Sequence, residues 1–289
     1  MNKIKNRRLV ILGVIFFFGC YKSYTQNNLI NAHLGFSFQY PAGWNKSGDD
    51  GVYEFTKPGV TNVSINIEPN LYASRSDLSL DIKDINDGNT GTYLQATYSE
   101  YGNNGLYVNH EGNINSAPLV MHSISLFSPY WVGITISASC ATNENTNAYL
   151  DIVKQIAASV KFSNPLPSPY ALQWKKRIAG RQLLYLSSES GVAGGSYEKR
   201  AYDLCSNGNF IMTYDNGYSS SNPTNDFSAA GSDEGSGKWE VHSIKGQGLL
   251  LLRSRNGTFA IKFLADRASS NELNIDGTKY FISNVENCK

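Results

Sequence analysis

No Cys-x-x-Cys or His-x-x-x-His pair occurs in this sequence, and its four histidines, His33, His110, His122 and His242, are scattered without ligand spacing, which argues against a metal centre. There is no Gly-x-Ser-x-Gly elbow, no phosphate-cradling glycine loop and no dinucleotide fingerprint. Gly191 to Gly195 is glycine-rich, but it joins two expected strands and lacks the helix start that holds phosphate. Charged residues are few, 17%, and the formal net charge is +1 with both signs interspersed, so a nucleic-acid partner is not expected. Lys83 to Gln95 has the carboxylates of a calcium loop, yet aligning Gly88 with the obligatory turn places Lys83 and Ile85 at ligand positions. No cofactor, no metal and no catalytic set follow, and the expectation is a protein that is not an enzyme. An enzyme would need the distant carboxylates Asp203, Glu240 and Asp266 to converge.

A long hydrophobic run is missing as well. The apolar stretch Leu9 to Phe18 is about half of the roughly 20 residues that a membrane-spanning helix needs, and Lys3, Lys5, Arg7 and Arg8 precede it. That pattern predicts an export signal over residues 1–26. Two processing sites compete. Ser23-Tyr24-Thr25 suits cleavage before Gln26, and its Tyr-Thr-Gln ending resembles exported proteins of the Bacteroidetes group; Phe17-Phe18-Gly19-Cys20 looks like a lipobox with Cys20 acylated. Either way the chain is expected outside the cytoplasm, in the periplasm, at the outer membrane or secreted, and lipid on Cys20 would be its sole tie to a membrane.

What is abundant is Tyr, Asn, Ser and Gly, a composition suited to exposed strands and turns. Pro165, Pro167 and Pro169, at every second position, read as an extended linker over 163–169 between two separately cored parts, 27–162 and 170–289. In the first part Phe36, Phe38 and Tyr40 alternate with polar residues, as do Val63, Ile65 and Ile67, and these mark consecutive antiparallel strands. A helix is expected within 78–101, then strands over 105–111, 118–127 and 130–139, about six in one sheet. Tyr149, Ile152, Val153, Ile156, Ala157 and Val160 fall at helical spacing over 143–160, with Thr142, Asn143, Asn145 and Thr146 as capping candidates. Trp44 and Trp131 are read as packing residues. The opening Gly35-Phe36-Ser37-Phe38-Gln39-Tyr40-Pro41-Ala42-Gly43-Trp44, the meander and the closing helix into Ala158-Ser159-Val160-Lys161-Phe162 resemble the PsbP-like family. That resemblance implies an α+β fold, an antiparallel sheet with flanking helices, in a non-catalytic accessory or partner-binding protein.

The second part reads as strands throughout: 181–188, 196–205, 210–216, 238–244, 249–254, 258–265, 272–275 and 279–285. Asn207-Gly208, Asn216-Gly217, Asn256-Gly257 and Asp276-Gly277 are hairpin pairs. Eight strands in a meander predict a closed, all-β up-and-down barrel, whose interior is either filled or holds one small ligand. The stretch 218–236, rich in Ser, Asn, Gly and Asp, is expected as a long loop, a lid or a disordered excursion, with Asp226, Asp233 and Glu234 solvated. Gly180-Arg181-Gln182-Leu183, Asp203 to Phe210, Gly237-Lys238-Trp239 and Leu273 to Gly277 together resemble a lipocalin-like domain, although Gln182 stands where lipocalins carry the Trp of their Gly-x-Trp. That resemblance implies transport of a small hydrophobic molecule, with Tyr202, Tyr214 and Trp239 chosen as pocket residues.

Cys205 ends the second barrel strand and Cys288 follows the last. In an up-and-down barrel both lie at one end, so they are expected to bond, with Cys140 a buried thiol. The function expected is that of an exported accessory or binding protein with an unknown small hydrophobic ligand or an envelope protein as partner. An envelope hydrolase using carboxylates at the barrel mouth, and an inert interaction module, are the alternatives.

Overall fold

Alternating apolar residues shape the opening hairpin of the computed structural model, which describes residues 26–61, 63–72, 74–130, 132–141, 146–191, 194–222, 225–244, 246–254, 257–263, 271–275, 277–285 and 287–288. The expected leader with Cys20, Trp131, the capping candidates at 142–145 and Asp266 lie outside them. Strand β1 (Gln26–Asn31) pairs with β2 (Phe36–Pro41), and Phe36 and Phe38 of β2 are buried. Then come β3 (Asn45–Ser47), β4 (Tyr53–Thr56) and β5 (Val63–Asn70), with Val63, Ile65 and Ile67 buried on one face. Helix α1 (Arg75–Asp81) starts where the Ser74 side chain accepts from the Asp77 N–H. It precedes β6 (Ile85–Asp87), β7 (Thr92–Tyr101), β8 (Gly105–Ile114), β9 (Ala117–Leu126) and β10 (Gly133–Ala141). Helix α2 (Thr146–Ser159) buries Val153, Ile156 and Ala157, and β11 (Lys161–Phe162) ends this part.

Two expectations are corrected here. Helix within 78–101 is confined to the end of α1, and most of the stretch is β6 and β7; in β7 only Thr92 and Leu94 are buried, too few to show alternation. The strands also form two antiparallel sheets, β1-β2-β11 and β3-β4-β5-β10-β9-β8-β7-β6, instead of one of about six. β2 has β1 on one edge and β11 on the other, so it cannot join β4 by hydrogen bonds. Instead its Phe38 ring packs on Tyr53 and Phe55, 6.0 and 6.2 Å away.

The proline segment is strapped down. Ser163 N–H donates to the Gly35 carbonyl and Leu166 N–H to that of Ala32, both at 2.8 Å. Gly35 has φ +72°, and a Cβ there would lie 2.3 Å from the Ser163 carbonyl oxygen, so the turn beneath the strap admits only glycine. Pro169, expected to block helix, opens one. It is the first residue of α3 (Pro169–Ile178), where a missing N–H costs nothing, and the Ser168 side chain accepts from Ala171 N–H. The reading of strands throughout from residue 170 onward is therefore corrected at its start.

Eight strands follow: β12 (Arg181–Gly191), β13 (Gly194–Leu204), β14 (Asn209–Asn222), β15 (Asn225–Ile244), β16 (Gln247–Ser254), β17 (Gly257–Phe263), β18 (Glu272–Ile275) and β19 (Thr278–Asn284). They close into a barrel in chain order. Gly208, at φ +80°, makes the tight turn from β13 to β14. Asn216-Gly217 does not turn. Of the expected loop over 218–236, residues 218–222 and 225–236 instead belong to the arm of β14 and β15, paired from Asn209↔Lys238 to Asn222↔Asn225. Backbone pairing forms such an arm without the apolar alternation that a sequence pattern reveals.

Strand pairing never crosses the strap among the described residues, but the cores touch. On β16, Leu250 and Leu252 point into the barrel. Leu249 and Leu251 point out and are buried in the core of the first part, the cluster that also holds Val132 and Ile134. Gly246 N–H donates to Asp50 Oδ2 at 2.9 Å and Arg253 to the Tyr130 carbonyl at 3.1 Å.

Candidate functional site

The two ends of the barrel differ. Strand β12 begins right after α3, and the buried Ala171, Trp174 and Ile178 of that helix pack with Leu183, Leu204, Phe210 and Trp239 of the barrel interior. Arg177 donates to the Glu272 carbonyl and stacks 5.1 Å over Trp174. That end is plugged.

At the other end the strands are unequal. β12 pairs with β19 only through Leu184, and β15 pairs with β16 only from Gly237 onward, so β12 to β15 rise past the rim as a four-stranded wall. Residues directly opposite on neighbouring strands share a face. The rows Leu183–Tyr202–Met212, Tyr185–Arg200–Tyr214 and Ser187–Glu198–Asn216 therefore climb the inner surface from core to wall. Against that wall lies a hollow of about 620 Å³ lined by Ser187, Glu189, Glu198, Tyr214, Asn216 and Tyr218, among others.

Its floor is a tyrosine cluster holding one cation. The Arg200 guanidinium sits 5.4 Å from the Tyr185 ring and 5.9 Å from that of Tyr214, and its Nε donates to Glu198 Oε1 at 2.6 Å. Tyr280 stacks near Tyr185 and Tyr202, at 5.8 and 6.1 Å. Burial first, and the adjoining Tyr280 next, push the Tyr202 phenol up to about 12. Unfolded, the same phenol ionises near its ordinary 10.0, so its stabilising contribution is full below that pH and is lost as pH rises towards 12. Ultraviolet titration should show one fewer tyrosine ionising near pH 12 in Tyr202→Phe than in the wild type.

Of the residues chosen from sequence, Tyr214 lines the hollow and Tyr202 lies one row beneath it. Trp239 is elsewhere: 1% exposed in the plugged end, it donates through Nε1 to the Cys205 carbonyl at 2.9 Å. Its burial sets it apart from the hollow. Arg200, Glu198 and Glu189 escaped the sequence reading, although the alternation was legible: Ser196, Glu198, Arg200 and Tyr202 share parity with the core residue Leu204. Charges in phase with a core residue were the signal.

Of the distant carboxylates, Asp203 and Glu240 lie apart. Asp203 is buried on the outer face, where it accepts from Gln182 Nε2 at 2.8 Å and from Asn287 N–H and Nδ2 at 3.1 and 3.0 Å. Glu240 faces the first part, with His242 Nε2 3.3 Å from its carboxylate. Cys205 and Cys288 form a disulfide, and Cys140 is buried with its Sγ 3.8 Å from the Val120 carbonyl oxygen. Among the described residues no His, Cys, Asp and Glu group is arranged to hold a metal ion, and no helix is long and apolar enough to cross a membrane. Trp44 is buried in the first core at the edge of a second hollow, of about 400 Å³, beside Tyr149 and Lys57.

No family model matches the sequence, and no curated protein matches it. Among solved structures, a Bacteroides thetaiotaomicron VPI-5482 protein at 1.50 Å resolution is 15% identical with a TM-score of 0.35 over 47% of this chain, which spans about half, 48%, of that protein. The Saccharomyces cerevisiae Ran-binding protein Mog1p is 11% identical with a TM-score of 0.38, over 49% of this chain and 97% of its own. At such values neither likeness says what this chain binds.

Proposed function

We propose that this chain is an exported, non-enzymatic binding protein that holds a small molecule at the open end of its barrel. One observation carries the reading: the barrel is plugged at one end by α3 and opens at the other onto a hollow of ligand size, lined by aromatic and polar side chains. The polar lining favours a ligand with hydrogen-bonding groups over the purely hydrophobic one that a lipocalin-like resemblance implies. Export is supported by the disulfide, which persists in oxidising compartments, and by the leader pattern. In this reading the first part is a PsbP-like accessory domain over 27–162, and the segment 170–289 is a lipocalin-like module.

Native mass spectrometry of the chain purified from its own envelope tests the proposal. The expected result is a non-covalent small-molecule mass that is lost on denaturation and reduced in Tyr214→Ala. A bare chain, or one carrying only a stoichiometric protein, would favour the interaction-module alternative.

A further inference from the structure

We infer that the hollow takes a neutral polyhydroxylated ligand, a saccharide, laid against the wall of β12 to β15; the inference rests on the ligand-holding reading above. The argument is one of exclusion followed by fit. A long acyl chain needs a dry tunnel, and beneath the floor the interior is filled by Leu183, Leu204, Phe210, Trp239, Leu250 and Leu252, all buried. An anion would face Glu189 and Glu198, while Arg200, the one cation on the floor, is already engaged by Glu198. A cation would meet the like charge of Arg200, which already pairs with Glu198 and lies 5.4 and 5.9 Å from the Tyr185 and Tyr214 rings.

A saccharide meets none of these obstacles. Its hydroxyls donate to the carboxylates of Glu189 and Glu198 in charge-assisted bonds, and Asn216, Ser187 and Ser196 both donate and accept. Its ring presents a C–H face that packs on aromatic planes, and Tyr214 and the half-exposed Tyr218 line the hollow. The site changes no charge on binding and leaves no carboxylate stripped of partners. Because the wall stands clear of the rim on one side, an oligosaccharide can extend beyond the hollow without threading into the barrel.

A glycan array probed with the mature chain, together with a palmitate-binding titration, decides the matter. The expected result is signal on at least one oligosaccharide class. It should be weakened by about tenfold or more in Glu198→Gln, an isosteric change that removes a charged acceptor, and also in Tyr214→Ala. Lys199→Ala, on the outer face of β13, should leave it unchanged, and thermal melting checks that each variant is folded. Palmitate binding with a silent array would overturn the saccharide inference while leaving the ligand-holding reading intact. A silent array, no palmitate binding and no copurifying small molecule would overturn both. Glycan signal indifferent to Glu198→Gln and Tyr214→Ala would remove the ligand from this wall.

Discussion

Leu251→Ala is expected to loosen both halves of the molecule at once. Leu251 is a barrel residue that is fully buried and, with Leu249, belongs to the core of the first part. Truncating a buried Leu typically costs about 3 kcal/mol, a large share of the roughly 5–15 kcal/mol that holds a domain. If the two parts were energetically separate, the loss would appear only in the barrel. Here it should also lower amide-exchange protection at Ile65 and Ile67 of β5 and at Ile134 and Ile136 of β10, which share that core. Hydrogen exchange read by mass spectrometry on wild type and variant provides the check. Loss of protection confined to β12 to β19 would show that the contact is incidental.

A second large effect is expected from the double change Cys205→Ser and Cys288→Ser. The bridge spans 83 residues, and the chain-entropy model puts the stabilisation from closing such a loop at about 4.5 kcal/mol. Part of that constraint has a non-covalent counterpart, because Asp203 accepts two hydrogen bonds from Asn287 next to the bridge, and Gln182, itself bonded by Ser283, donates to the same carboxylate. Those bonds hold the folded tail but do nothing to restrict the unfolded chain. Urea unfolding should therefore show a loss of about 3–4.5 kcal/mol in the variant, and the same loss for wild type in reductant. A loss below about 1 kcal/mol would mean that the unfolded chain is already constrained near this contact.

The barrel was largely legible because its turns and faces obey local rules. Asn207-Gly208 turns where its chemistry demands, and strand parity brings Cys205 to Cys288. The inward face of β16 and the outward pair Leu249 and Leu251 were another matter. Four consecutive leucines show no alternation, because both faces of this strand are buried, and no pattern within the strand says against what. The β14 to β15 arm escaped since Ser, Gly, Asn and Asp signal turns in isolation, yet here a cross-strand partner of equal length pairs with them residue by residue. Helix α3 escaped because a proline read as a breaker is also a good first residue. The separation of β2 from the larger sheet depended on β11, a two-residue strand more than a hundred positions away, and no local signal encodes that pairing.

The candidate site was half legible for a related reason. A choice of aromatic residues falls on Tyr214, which lines the hollow, and on Tyr202 one row below, but also on Trp239, which packs against protein. Whether an inward aromatic faces a hollow or a plug depends on which end of the barrel α3 covers. That is a tertiary fact, invisible to spacing.

The most direct measurement is a crystal structure of the chain purified from the cells that make it. The account predicts density for a bound molecule on the inner face of β12 to β15, within hydrogen-bonding reach of Glu198 and packed on Tyr214. Density instead in the hollow beside Trp44 and Tyr149, with only solvent above Arg200, would contradict it.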